Sequence, residues 1–150
     1  MPFRKLSVCA AIFAAAIFSA TTSWAQGATR YGVWDNSTNP NNVMTYEPYG
    51  DGGMKITISN PSKPAEGWSY VTMFDGQFRP VTGQKGAETA VEVINDKSTR
   101  ISNKRDGVVY QVVINTLSDD NNETHNEYIR LDKDGKITGV THVTYIRRKK

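Results

Sequence analysis

The side chains that could carry out acid–base or metal chemistry are few and gather near the carboxyl-terminal end of the chain. His125 and His142 are its only histidines, and Glu123 and Glu127 flank the first of them. Histidines beside carboxylates are typical of a zinc site or an acid–base pair. A catalytic zinc ion needs three protein ligands, however, and the spacing forces no third ligand here. We therefore expect two histidines on the polar face of a hairpin, with no metal site and no catalytic residue.

Two oxygen-rich segments raise the question of calcium binding. Residues 132–135 begin as a calcium loop does, but the glycine comes at the fourth position instead of the sixth, and no acidic residue closes the loop. We interpret this segment as a hairpin turn. Residues 119–123 are richer in oxygen atoms, and their composition is that of a solvated turn.

Sequence motifs of the common enzyme classes are missing. The chain contains no phosphate-binding loop, no dinucleotide fingerprint, no His-Glu-x-x-His and no Gly-x-Ser-x-Gly elbow. The sequence therefore predicts a protein that is not an enzyme and that uses no cofactor.

Large aromatic side chains are the remaining feature that could bind a ligand. Many large rings are present for one small barrel, among them Trp34, Trp68, Tyr70, Phe74, Phe78, Tyr110, Tyr128 and Tyr145. In a small barrel such rings either fill the interior or line a cavity that holds one small ligand. On the second interpretation, a small apolar or amphipathic ligand would contact Trp34, Trp68, Tyr70, Phe74 and Tyr110.

The elements that must position these rings are short strands separated by turns. Asp-Gly pairs begin at Asp51, Asp75, Asp106 and Asp134, and Asp-Gly supplies the positive φ angles that tight hairpins require. Between the turns, apolar and polar residues alternate as they do in strands with one buried face. Residues 108–117 are instead apolar on both faces, which predicts a central strand covered on both sides.

This pattern predicts a single all-β domain. The turn signals recur about every 8–12 residues, and no amphipathic helix is apparent. Successive hairpins favour an up-and-down antiparallel meander that closes into a small barrel of about eight to nine strands, because closure removes unpaired edges. A two-sheet β-sandwich is the alternative.

Residues 68–83 resemble a group of small exported bacterial proteins of unknown function that have a lipocalin-like barrel. That group has an aromatic strand followed by Tyr-Asp-Gly-Lys and Pro-Val-Thr-Gly, where this chain has Phe-Asp-Gly-Gln and Pro-Val-Thr-Gly. Residues 46–55 and 132–136 also fit, so the resemblance spans most of residues 31–145 and is weakest over residues 34–37. The resemblance implies a lipocalin-like barrel and implies no particular activity.

Residues 1–25 have the three parts of a secretory signal peptide. Basic residues follow the initiating methionine, residues 6–18 are apolar, and Ser23 and Ala25 are the small residues before a cleavage site. We expect cleavage after Ala25, which leaves residues 26–150 as one β-barrel domain. The apolar run is shorter than the ~20 residues that cross a bilayer, so no transmembrane segment is expected after cleavage.

The remaining composition favours an exported protein with neither disulfides nor a nucleic-acid partner. Cys9, the only cysteine, lies in the predicted leader, and a chain exported without cysteine fits a periplasmic or secreted bacterial protein. The chain has 18 Lys+Arg and 15 Asp+Glu, and its basic excess lies in the leader and in residues 147–150. We interpret those last residues as a solvated tail that ends a strand.

Two functions are consistent with these features. The first is the binding of a small apolar or amphipathic ligand in the barrel. The alternative is a periplasmic protein-interaction or inhibitor module that acts through its loops, residues 35–42 and 119–123, and through the barrel rim.

Overall fold

Ten antiparallel strands form one sheet in the computed structural model, which describes residues 27–149. The predicted leader lies outside the described residues. A helical turn over residues 27–30 precedes the sheet. The strands are β1 (Gly32–Asn36), β2 (Val43–Tyr49), β3 (Gly53–Ser59), β4 (Trp68–Thr72), β5 (Arg79–Pro80), β6 (Ala87–Val93), β7 (Ser98–Arg105), β8 (Val108–Leu117), β9 (Glu123–Leu131) and β10 (Ile137–Arg147), with a 3₁₀ turn over Pro64–Glu66.

The sheet closes almost completely into a barrel. Its order is β4-β3-β2-β1-β10-β9-β8-β7-β6-β5, so the first strand pairs with the last. Ser69 of β4 and Thr82, just after β5, exchange backbone hydrogen bonds of 3.0 and 2.8 Å across the remaining gap. The predicted meander and its closure are confirmed, and the sandwich alternative is not. The barrel has ten strands instead of eight to nine, because even the two-residue β5 pairs with β6.

The Asp-Gly pairs form different kinds of turn. Asp106 and Gly107 have φ angles of +49° and +85° and connect directly paired residues of β7 and β8, which is the tight hairpin that the sequence predicts. Asp75-Gly76 instead lies in the longer loop between β4 and β5. There the Arg79 guanidinium donates two hydrogen bonds of 2.7 Å to the Asp75 carboxylate and lowers its pKa to about 2.

Buried side chains, mostly from alternate strand positions, fill one end of the barrel interior and extend along part of the wall at the other end. The buried cluster contains Trp34, Met44, Tyr46, Met54, Ile56, Tyr70, Phe74, Val81, Ala87, Val91, Leu117 and Tyr145. The prediction that β8 is covered on both sides is wrong. Val113 and Leu117 point into the barrel and are buried, whereas Val112 and Ile114 lie on the outer face and are half-buried. A barrel covers only the inner face of its strands, and an apolar outer face gives the same sequence pattern.

Arg147 and Arg148 belong to the fold, contrary to the interpretation of the basic carboxyl-terminal residues as a solvated tail, whereas Lys149 is exposed and Lys150 lies outside the described residues. Arg147 lies within β10, and its guanidinium donates to the carbonyl oxygens of Thr29, Tyr31 and Asn121 at 2.6, 2.7 and 2.8 Å. The same group lies 4.1 Å from the centre of the Trp34 ring. Arg147 therefore attaches the amino-terminal turn to the last strand.

Replacing Arg147 with alanine is expected to lower the free energy of unfolding by about 2–3 kcal/mol, because three charge-assisted hydrogen bonds and a cation–π contact are lost together. Urea unfolding followed by circular dichroism measures the change. Lys149→Ala removes an equal charge two residues away and serves as the control. Equal stability of the two variants would show that the Arg147 contacts contribute nothing beyond charge.

Candidate ligand-binding cavity

One end of the barrel contains a cavity of about 340 Å³, a size typical of pockets for small molecules. Asn36 and Asn42, at the turn between β1 and β2, contribute to its wall, whereas Arg147 holds residues 29–31 near the turn between β8 and β9 at the opposite end. Six aromatic rings contribute to the wall, namely Tyr46, Trp68, Tyr70, Tyr110, Tyr128 and Tyr145. Uncharged polar side chains contribute as well, including Thr89, Asn103, Gln111 and Asn126.

The structure brings together three of the five residues that the sequence suggested for ligand binding. Trp68 and Tyr70 are two residues apart on β4, and their rings stack with centres 6.0 Å apart and planes 20° apart. Tyr110 lies at the mouth of the cavity, where 37% of it remains exposed. Their role in binding stays a prediction.

The other two suggested residues, Trp34 and Phe74, do not line this cavity. Trp34 is completely buried and donates its indole N–H to the Arg30 carbonyl oxygen at 2.9 Å. Phe74 lies in the loop after β4 with a φ angle of +58° and lines a separate void of about 10 Å³ beside Arg30. Both rings pack in the half of the barrel that the core fills.

Polar side chains on the cavity wall are already bonded to one another on one side. Thr89 donates its hydroxyl to Asn103 Oδ1 at 2.9 Å, and Asn103 Nδ2 donates to Gln111 Oε1 at 2.9 Å. Glu88, the acidic residue of the wall, forms an ion pair of 2.8 Å with Lys104. This side of the cavity is therefore polar without an unpaired negative charge.

Arg30 is the largest polar side chain of the closed end, and only 1% of it is exposed. One terminal nitrogen donates to Asn115 Oδ1, and the other donates to the Lys97 carbonyl oxygen at 2.6 Å. Its Nε has no partner among the described residues. Burial lowers the pKa of Arg30, since desolvation disfavours the charged form.

A chain of side-chain hydrogen bonds leads from Arg30 to the cavity wall. Asn115 Nδ2 donates to Asn126 Oδ1, and Asn126 Nδ2 donates to the Tyr128 hydroxyl oxygen at 3.3 Å. Burial, the nearby Tyr145 phenol and the hydrogen bond to it raise the pKa of Tyr128. Burial likewise raises the pKa of Tyr46 and Tyr70, so these phenols are neutral around neutral pH.

The sequence reasoning did not identify Arg30, Asn115 and Asn126 as residues of the interior. Arg30 precedes the first strand, where no periodicity indicates burial. Asn115 and Asn126 occupy inward positions of β8 and β9, but an amide at such a position looks like one on a solvated face. The available signal was the alternation itself, since Asn115 shares a face with the apolar Val113 and Leu117.

The two histidines lie on the exposed outer face of the β9–β10 hairpin, as the sequence suggested. His125 Nε2 lies 3.5 Å from a Glu123 carboxylate oxygen, and His142 Nε2 lies 3.3 Å from one of Glu127. Each ring thus has its own carboxylate. Over residues 27–149, no three histidine, cysteine or acidic side chains gather closely enough to hold a metal ion.

Comparison with known proteins supports the fold. No protein-family model matches the chain, and no curated protein matches it in sequence. A fatty-acid-binding protein of Schistosoma mansoni, solved in complex with arachidonic acid, is similar in structure with a TM-score of 0.60. The alignment covers 83% of this chain and 99% of that one at 10% identity. The fold is thus the lipocalin-like β-barrel of that binding protein, and at this identity the likeness extends to the fold alone.

No helix within the described part of the chain is long and apolar enough to cross a membrane.

Proposed function

We propose that the protein binds one small apolar or amphipathic molecule in the open half of its barrel and does not act as an enzyme. The observation that supports this most is the cavity of about 340 Å³ beside the stacked Trp68 and Tyr70 rings. Apolar wall residues such as Met44, Ile58 and Val143 would bury the nonpolar part of the ligand. The similar fold of a lipid-binding protein agrees with this proposal.

The proposal predicts saturable binding of an apolar fluorescent probe. We expect phenylnaphthylamine to bind with one site per chain, and Trp68→Ala to weaken that binding about tenfold, because the largest ring of the wall is lost. Tyr49→Ala removes an exposed ring outside the cavity wall and should change the dissociation constant less than about twofold. A probe signal that never saturates with the unmodified protein would refute the proposed function.

We also propose that the barrel acts after export, as a periplasmic or secreted protein. The support is the three-part leader of residues 1–25. Fractionation of a bacterial expression host, with mass determination of the recovered protein, tests this directly. A chain that begins at Gln26 in the periplasmic fraction is the expected result, and an uncleaved cytosolic chain would contradict it.

A further inference from the structure

Arg30 places a positive charge inside the barrel, and no carboxylate among residues 27–149 pairs with it. A guanidinium stays protonated in proteins, and its hydrogen-bond acceptors here are the neutral Asn115 amide and the Lys97 carbonyl. The ionisable groups that act on it most are Tyr46 and Tyr70, which carry no charge. Buried charges in proteins are normally paired, because an unpaired one is costly.

The hydrogen bonds that begin at Arg30 all point toward the cavity. Arginine only donates, so Asn115 must turn its carbonyl oxygen toward Arg30 and its amino group toward Asn126. Asn126 must then accept through its oxygen and donate through its nitrogen to Tyr128. Every hydrogen bond in this hydrogen-bond chain therefore points away from Arg30, and hydrogen bonds aligned in this way polarise one another.

The hydrogen-bond chain that begins at Arg30 ends at two hydroxyl groups in the cavity wall. The Tyr128 hydroxyl oxygen accepts from Asn126 Nδ2, Tyr128 interacts with the neighbouring Tyr145 phenol, and both residues line the cavity. A hydrogen bond between these two phenols uses only one of their two hydroxyl protons, and the hydrogen bonds described for residues 27–149 give the other proton no acceptor. These two hydroxyls thus form the donor end of the polarised hydrogen-bond chain, at a point where a bound molecule could accept a hydrogen bond.

We propose that Tyr128 and Tyr145 form the anion-binding end of the cavity. The ligand is then a compact amphipathic anion, which accepts hydrogen bonds through one anionic oxygen group and lays its apolar part against Ile58 and Trp68. This rests on the proposed function and narrows its ligand class. An anion bound here would accept at the end of the hydrogen-bond chain that begins at Arg30, and the polarisation of that chain favours an anion over a neutral ligand.

Two probes that differ by a single anionic group test this assignment. Anilinonaphthalene sulfonate has the ring skeleton of phenylnaphthylamine plus one sulfonate, which stands in for the anionic oxygen group of the ligand. We expect the sulfonate probe to bind the purified protein more tightly than the neutral one. Tyr128→Phe should weaken the sulfonate probe about tenfold, since a charge-assisted hydrogen bond is lost, and should change the neutral probe less than about twofold.

Further variants separate this site from an anion site at the cavity mouth. Tyr145→Phe should also weaken the binding of the sulfonate probe alone. This second variant keeps the test possible if Tyr128→Phe does not fold. Tyr49→Phe removes an exposed hydroxyl outside the cavity wall and should leave the binding of both probes unchanged. Arg130→Gln removes the exposed cation of the wall, and a selective loss there, without one in Tyr128→Phe, would overturn the inference in favour of the mouth.

The outcomes distinguish this inference from the proposed function. Saturable binding of the neutral probe with no preference for the sulfonate leaves the ligand cavity in place and overturns the anionic end. If Tyr128→Phe weakens the binding of both probes equally, the ligand cavity again stays in place and the anionic end is overturned. Saturation by neither probe overturns both proposals.

Discussion

Replacing Trp34 with alanine is expected to lower the free energy of unfolding by about 3–5 kcal/mol, the usual cost of truncating a buried tryptophan. The side chain is completely buried, and its ring packs against Tyr46 with centres 6.1 Å apart. The substitution also removes the indole N–H that the Arg30 carbonyl accepts and the ring on which Arg147 lies. Urea unfolding of the purified variant, followed by circular dichroism, measures the loss.

Two variants show whether burial of this particular ring is responsible. Trp34→Phe keeps much of the packing but lacks the indole N–H, so we expect a loss of about half that of alanine. Trp68→Ala removes the same side chain from the partly exposed cavity wall and should cost clearly less stability. If Trp34→Ala were no more destabilising than Trp68→Ala, Trp34 would not be the structural centre of the closed end.

These expectations depend on a division of the barrel that the sequence does not show. Trp34 and Trp68 are both tryptophans in strands, and local pattern gives them the same interpretation. Their roles differ because Arg147, more than a hundred residues further along, closes the barrel over Trp34. Near Trp68 no such contact is made among the described residues, and the interior stays open. Sequence separation of this size hides the distinction from any local pattern.

The strands themselves could be predicted from the sequence, because local chemistry determines them. Residues Met54 and Ile56 alternate with polar residues and are buried in β3. Asp106-Gly107 has the backbone freedom that its hairpin demands. Local chemistry determines such elements, whereas the polar interior depends on which strands meet around the barrel. Asn115 and Asn126 are neighbours only because β8 and β9 pair in one register.

Arg30 connects the two halves of the molecule. It belongs to the turn that closes one end, and its hydrogen bonds lead to the wall of the cavity at the other. The hydrogen-bond chain should therefore affect both the stability of the protein and ligand binding. Its contribution to stability can be measured without any ligand, and that measurement is independent of the probe experiments.

Asn115→Leu is expected to lower the free energy of unfolding by about 3–5 kcal/mol, because it removes a partner of a buried charge and leaves that charge in place. Asn103→Leu is the matched control, since it makes the same change at a cavity-wall amide that bonds only to neutral groups. We expect the control to cost about 1–2 kcal/mol. Denaturant titration of both variants gives the comparison.

The double variant Arg30→Met with Asn115→Leu tests whether the stranded charge causes the loss. Removing both partners leaves no charge to desolvate, and apolar replacement of a buried polar pair is often close to neutral. We therefore expect the double variant to be more stable than Asn115→Leu alone, although it has lost one more polar side chain. A double variant that is less stable than the single one would mean that Arg30 contributes through its packing and its bond to Lys97, and that its charge is not the reason for the polar chain.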